Sequence, residues 1–415
     1  MQELFALITV NLEIKVNFVA MDTIVQRLLL EYAFKRLNQL PCIALLGSRQ
    51  IGKTTLSKQI QDQHRGESIY LDLESPEDLN KLTQPELYLN ARSNQLIILD
   101  EIQRMPELFP ILRSVIDKKR DNGRFILLGS ASPELLSQST ETLAGRIAYI
   151  EMHPFVYPEI KQFQSFQKLW LRGGYPNMLF ANGDEESFAN RMDFIKNYLE
   201  VELPSLGLRN SPITMRNLLR MIAHTHGGLL NYSDFSRSMG LDINTVKRYI
   251  DFLEQSYLIR RLQPFYANVS KRLVRSPKIY YRDSGLFHAL SSIESLEDLE
   301  SHIQKGNSWE GFVIENIMAC LKTGVETYFY RTQDGTELDL VLTKGGKPVL
   351  GCEIKYSNTP KITKGLTISS NDLGNIPILV ITPSSPEDYH LSERVLVTDF
   401  HRMFQHLENH KLTFA

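Results

Sequence analysis

Residues 47–54 read GSRQIGKT, with the apolar run IALL before them and the amphipathic stretch TLSKQI after them. Two glycines five positions apart let the backbone curl, so that the N–H groups of Gly47, Ser48, Arg49, Gln50, Ile51, Gly52, Lys53, Thr54 and Thr55 can surround an anion. The helix that follows adds partial positive charge at its N-terminus. Lys53 would reach the terminal phosphates of a nucleotide, and the Thr54 hydroxyl would ligate Mg2+. Strand, glycine loop and helix in this order form a P-loop, so ATP with Mg2+ is the expected ligand.

A second run, QLIILDE at 95–101, places Asp100 and Glu101 at the end of an apolar strand. A fully buried parallel strand reads this way. Its carboxylates would lie beside the loop, with Asp100 holding Mg2+ through water and Glu101 orienting and deprotonating the attacking water. A third strand, RFILL at 124–128, leads to Ser130, placed to touch the γ-phosphate and report its hydrolysis. Arg146 precedes a further strand and is a candidate γ-phosphate arginine, acting in cis or from a neighbouring subunit, which brings in a homo-oligomer.

Far downstream, GTELDLVLTKGGKPVLGCEIKYS spans 335–357. Side chains alternate along strands, so Glu337, Asp339 and Val341 share one face, and Val349, Gly351, Glu353 and Lys355 share another. Pairing about Gly345-Gly346 would bring Asp339, Glu353 and Lys355 to one side. There two carboxylates can hold a divalent cation and the lysine can polarise a water or a phosphate. Glu-x-Lys alone means little, since EIK occurs at 13, 159 and 353, and only the last has acidic company. Upstream, SWEGFVIENIMACL reads as a helix with Glu310 inside its apolar face and Glu315 outside it. A carboxylate buried at Glu310 requires a partner or a metal.

Between these ends, residues 216–256 read as three helices with a helix-turn-helix pattern. Ile243, Val246, Ile250 and Leu253 form the packed stripe, while Thr245, Lys247 and Arg248 face away. The segment 260–282 then carries Arg260, Arg261, Lys271, Arg272, Arg275, Lys278 and Arg282. A winged helix with a basic segment is a plausible DNA footprint. His224 and His226 lack a nearby third ligand and read as a packed or surface pair.

GSRQIGKTTL, LDEIQRMPELFPILR, ILLGSASPELL and TLAGR together resemble the AAA-type ATP-binding proteins of bacteria and archaea that carry a large, poorly characterised C-terminal domain. LRGGYP at 171–176 and the helix-turn-helix extend the likeness, which covers residues from about 25 to 360. The resemblance implies an ATPase. GTELDLVL and CEIKYS, behind a helix glutamate, resemble the PD-(D/E)XK nuclease superfamily, which implies Glu310, Asp339, Glu353 and Lys355 as its catalytic set.

The elements that must position these residues fit within bounds set by composition. A chain of 415 residues holds two or three domains. At 42% hydrophobic, 23% charged and a net charge of −2, it reads as a soluble protein with no global attraction for nucleic acid. Cys42, Cys320 and Cys352 are scattered and read as core residues of a reducing, cytoplasmic compartment. No apolar run approaches the ~18 residues of a membrane span. The expected class is α/β multidomain. It comprises an N-terminal extension (1–20), a P-loop domain (21–160), a helical and winged-helix region (161–295) and a PD-(D/E)XK-like domain (296–415). Two functions follow: an ATPase coupled to DNA engagement and metal-dependent cleavage, or a nucleotide-driven signalling or assembly switch whose C-terminal half docks proteins.

Overall fold

The computed structural model describes residues 25–132, 143–208, 211–266, 273–357, 359–360 and 364–414. The extension at 1–20 and the cations Lys271 and Arg272 lie outside the described residues.

Five strands form a wholly parallel sheet in the order β2-β3-β4-β1-β5. They are β1 (Cys42–Leu46), β2 (Ser68–Asp72), β3 (Leu96–Asp100), β4 (Phe125–Gly129) and β5 (Ile147–Glu151). β1, β3 and β4 are buried along their whole length, which is why their sequences are unbroken apolar runs. α1 (Lys53–Gln63) follows β1, and α2 (Leu108–Lys118) precedes β4. Leu56 and Ile60 of α1 join the core on one side of the sheet, and Leu112, Val115 and Ile116 of α2 on the other. Because the strands are parallel, the ends of β1, β3 and β4 come together at one edge. This is a P-loop NTPase sheet.

The middle of the chain is helical. α3 (Phe166–Arg172), α4 (Asp184–Asn197), α5 (Pro212–His224), α6 (Tyr232–Met239) and α7 (Ile243–Gln255) precede a two-stranded antiparallel ribbon, β6 (Ile259–Leu262) and β7 (Lys278–Tyr281), and then α8 (Ser284–Leu290). Val246, Ile250 and Leu253 are buried as the helical stripe requires, whereas Ile243, in the first turn of α7, is exposed. The LRGGYP turn joins this region to the first sheet by bare backbone. A β-carbon on Gly174 would lie 2.2 Å from the Phe155 carbonyl oxygen, and one on Gly285 would lie 2.1 Å from that of Arg172.

α9 (Lys305–Cys320) then leads into a six-stranded mixed sheet, ordered β12-β13-β11-β10-β9-β8. β8 (Val325–Arg331), β9 (Glu337–Lys344) and β10 (Lys347–Ile354) form an antiparallel meander. β10, β11 (Ile378–Thr382) and β13 (Val395–Asp399) run parallel, with β12 (Tyr389–Ser392) antiparallel at the edge. Trp309, Phe312, Val313 and Ile317 of α9 pack on Leu340, Leu342, Leu350 and Cys352. Burying side chains of this size contributes roughly 1.5–3 kcal/mol each. All three cysteines are buried thiols. Among the described residues no helix is long and apolar enough to cross a membrane.

Candidate functional site

The loop after β1 turns into α1 through Gly52, whose φ of 95° is a left-handed value that a side chain would strain. Lys53 is buried at the start of the helix, and its ammonium donates to the carbonyl oxygens of Gly47 and Ser48 at 2.9 Å each. Burial lowers its pKa to about 8, with Glu101 and Asp100 pulling the other way. The Thr54 hydroxyl donates to Asp100 Oδ2 at 2.8 Å, so the hydroxyl and carboxylate expected to flank Mg2+ already face each other. Tyr70 donates to the same carboxylate oxygen. This hard-oxygen pair suits Mg2+.

Glu101, the residue after β3, has a left-handed conformation, φ 55°. For a residue with a β-carbon such a conformation costs on the order of 1–3 kcal/mol, and it is common at working sites. Burial raises its pKa, opposed by Lys53 and Arg49. The Gln103 amide donates to Glu101 Oε2 and, at 2.9 Å, to Ser130 Oγ. Ser130, the residue after β4, is thereby tied to the carboxylate. Arg49 points back over the loop, 2.8 Å from Glu202, 2.7 Å from Glu74 and 3.7 Å from Glu101. Tyr175 of LRGGYP donates to Ser48 Oγ at 2.8 Å. Arg27 donates to the Ile51 carbonyl at 2.8 Å. A cleft of about 1420 Å3 opens beside Gln50, Gly52 and Thr55, with Phe155 and Asn177 among its other walls.

Arg146 stands apart from this assembly. It immediately precedes β5, and its carbonyl accepts the Cys42 N–H at the start of β1. The parallel register pairs Cys42 with Ile147, so Arg146 lies at the sheet end away from the P-loop, roughly 15 Å off for a five-residue strand. Its guanidinium is paired with Asp117 at 2.7 and 2.9 Å. Action in cis on a phosphate held by the loop is therefore excluded.

At the C-terminal sheet the four expected side chains come together. Lys355 Nζ lies 2.7 Å from Glu353 and 4.0 Å from Asp339, and the Ile354 N–H donates to Asp339 Oδ2 at 2.8 Å. Glu310 reaches in from α9. Between Glu310 and Asp339 stands Lys278 of β7, which the sequence placed in the basic segment and not at this site: its Nζ is 2.9 Å from Glu310, 2.7 Å from Glu337 and 3.7 Å from Asp339. Tyr280 donates to Glu310 at 2.5 Å. Burial works against the Lys278 ammonium, but Glu310, Asp339 and Glu337 outweigh it and hold its pKa well above the usual. Burial, with the charge of Asp339, raises the pKa of both Glu310 and Glu353. Glu353 Oε2 is buried and accepts no hydrogen bond among the described residues. That orphaned carboxylate oxygen beside Asp339 suits a divalent cation. As the side chains stand, no three His, Cys, Asp or Glu among the described residues converge tightly enough to hold a metal.

Strict alternation along β9 does not hold. Tyr328 pairs with Val341 and Tyr330 with Leu338, so Asp339 and Leu340 together stand opposite Phe329. This is a β-bulge, which re-aims side chains. Leu338 consequently packs with Val341 in one core cluster, while Leu340 and Leu342 pack in another.

One further expectation is overturned, and another is met only in part. Glu315, placed outside the apolar face of its helix, is buried, 2.5 Å from Arg260. The basic segment mostly turns inward. Arg260 pairs with Glu315, Arg261 with Glu254 and Asp251, Arg282 with Glu151, and Lys278 with the acidic cluster. Only Arg275 of the described cations in this segment is exposed. These side chains are adjacent in sequence because they line a junction between elements, and each meets a carboxylate from elsewhere. His226 is buried against Phe287, and His224 lies on the surface.

Comparison with known proteins agrees with the first sheet. Residues 39–161 match an AAA domain, and residues 163–297 and 305–403 each match a domain of unknown function. The uncharacterized protein Rv2008c of Mycobacterium tuberculosis is 39% identical over 349 residues, covering 84% of this chain and 78% of the relative. An uncharacterized protein of Haemophilus influenzae is 22% identical over 270 residues, 58% of this chain and 66% of the relative. Among solved structures, the Walker-type ATPase PABY2304 of Pyrococcus abyssi is 16% identical, covers 65% of this chain and 97% of its own, and superposes with a TM-score of 0.45.

Proposed function

We propose, for a chain that belongs to the family of the uncharacterized mycobacterial proteins Rv2008c and Mb2031c, that it binds and hydrolyses ATP with Mg2+, and that its C-terminal carboxylates cleave phosphodiester bonds in a nucleic acid such as DNA. The observation carrying the first part is the 2.8 Å contact between Thr54 and Asp100, with Glu101 next in the chain and Lys53 at the helix start. Residues 21–160 are proposed to hold the nucleotide, 161–295 to cover it, and 296–415 to carry the second site.

The backbone N–H groups of 47–55 and the Lys53 ammonium bind the phosphate oxygens. The cleft beside Gly52 and Thr55 has room for the nucleoside. Mg2+, when bound by Thr54 and Asp100, neutralises charge on the phosphates. Glu101 accepts the proton of the attacking water as its oxygen bonds to the γ-phosphorus and the bond to ADP breaks. Gln103 fixes the Glu101 carboxylate and links it to Ser130. Arg49 carries contact from Glu101 to Glu202 in the helical region, a route by which nucleotide state reaches the rest of the chain.

A second reading is a nucleotide switch whose C-terminal half docks proteins without catalysis. It is favoured by the inward turn of the basic segment and by the lysine within the acidic cluster. One experiment tests the proposal: steady-state ATPase of wild type and Lys53→Ala, with and without DNA at low salt. The variant should lose at least about a hundredfold in kcat/KM. Stimulation by DNA supports coupling to nucleic acid, and slow turnover indifferent to DNA supports the switch. Equal turnover by Lys53→Ala overturns the ATPase assignment itself.

A further inference from the structure

The acidic cluster of the mixed sheet already contains a cation, and it comes from outside that sheet. Lys278 lies on β7, which pairs with β6. Its side chain is 4% exposed, and its ammonium contacts Glu310, Glu337 and Asp339. Arg331 also approaches Glu337, at 3.4 Å.

Resting on the reading of this cluster as a divalent-cation site, we infer that Lys278 is a tethered counter-ion seated where the metal would bind, so that the ion enters only when this side chain withdraws. Three observations carry the inference. First, a divalent ion binds carboxylate oxygens at about 2.0–2.6 Å, and the ammonium already occupies one oxygen each of Glu310 and Glu337 at 2.9 and 2.7 Å, so an ion taking either oxygen must displace it. Spreading of the carboxylates around the larger ammonium also explains why no three of them converge as a metal requires. Second, charge is balanced differently in the two states. With all four carboxyls ionised, as a metal requires of its ligands, Glu310, Glu337, Asp339 and Glu353 face Lys278, Lys355 and Arg331, a deficit of one positive charge. Without Lys278 the deficit is two, which a divalent ion matches. Third, Glu353 Oε2 is buried and takes no donor among the described residues, leaving one ligand position that the lysine does not serve.

The lysine's carrier strand is also anchored to the nucleotide-binding sheet. Arg282, one residue past β7, pairs with Glu151, the last residue of β5. Arg260 of β6 lies 3.7 Å from the same carboxylate. Glu151 pairs in register with Leu46, where β1 enters the P-loop. Lys278 therefore rides on an element tied to the strand ends that hold the nucleotide.

The test uses the full chain without nucleotide. Mn2+ binding is measured by the electron paramagnetic resonance of free Mn2+ for wild type, Lys278→Met and Asp339→Ala, the last defining binding at this cluster. In parallel, acylation of Lys278 in wild type is followed by mass spectrometry with and without saturating Mn2+. Lys278→Met should bind at least about tenfold tighter than wild type, as removal of a charge this close implies. Saturating Mn2+ should raise wild-type Lys278 acylation several-fold. Labelling unchanged at saturation overturns the inference even if the methionine variant fails to fold, and so does equal affinity of a folded variant. Absence of Asp339-dependent binding in both proteins overturns the inference and the metal-site reading together. Tighter binding with released labelling, but no cleavage of DNA by either protein, sustains the counter-ion and removes the phosphodiesterase reading alone.

Discussion

His226 sets a term of acid sensitivity that can be isolated by one substitution. Its imidazole is 2% exposed, stacks 4.2 Å from Phe287, and accepts the Tyr281 N–H at Nδ1, 3.1 Å away. Protonation would set two N–H groups against each other in a dry site. Burial accordingly lowers its pKa from 6.5 to about 3. The folded value is depressed below the unfolded one. Its contribution to stability is thus present above the unfolded pKa and lost as pH falls through 6.5 towards 3. Between pH 7 and pH 5 the unfolded chain takes up nearly one proton that the folded chain refuses, a loss of roughly 2 kcal/mol. His226→Asn keeps an acceptor near the Nδ1 position and removes the titration. Urea unfolding at pH 7, 6 and 5 can be followed by fluorescence of Trp170 and Trp309, which share a core with Phe312 of α9. The Glu310 and Glu353 carboxyls, raised by burial, titrate with the opposite sign and cancel when the two proteins are subtracted. Wild type should lose about 2 kcal/mol more than the variant across this range. Parallel pH profiles would show that His226 is either solvated or already protonated in the folded protein, and would refute the argument.

Two predictions concern the proposed sites directly. Glu101→Gln should bind ATP within a few-fold of wild type, measured by equilibrium titration, while kcat falls by about 10²–10⁴ through loss of the proton acceptor. Unchanged kcat would assign the proton to another group. Wild type should nick plasmid DNA at Mn2+ concentrations high enough to displace Lys278, and Asp339→Ala should abolish that nicking; residual cutting at the wild-type rate would place any nuclease elsewhere.

The P-loop and the run ending in Asp100-Glu101 were readable because their chemistry is local: each depends on residues within one strand-loop-helix passage. The gathering of Asp339, Glu353 and Lys355 was readable too, since a Gly-Gly turn and two alternating runs nearly determine a hairpin. The bulge at Asp339-Leu340 was not, because it depends on how β8 pairs with β9. That Arg146 lies too far from the loop of its own chain to act in cis was hidden for a related reason. Its closeness in sequence to the Ser130 segment hides the fact that it enters β5 at the sheet's far end. Arg260, Arg282, Glu315 and Lys278 depend on partners 32 to 131 positions away, such as Glu310 and Glu151. The one local hint for Lys278 was its position in PKIYY, a cation heading an apolar strand, where a buried partner is required.

The Gly174 and Gly285 contacts decide where this molecule can bend. Main chain lies on main chain there, with no side chain to change rotamer and take up a displacement, so the seam transmits movement as a weld does. Any rearrangement that accompanies turnover must be accommodated elsewhere, and the ionic bridges from Arg49 to Glu202 and from Arg282 to Glu151 are joints that can open and re-form.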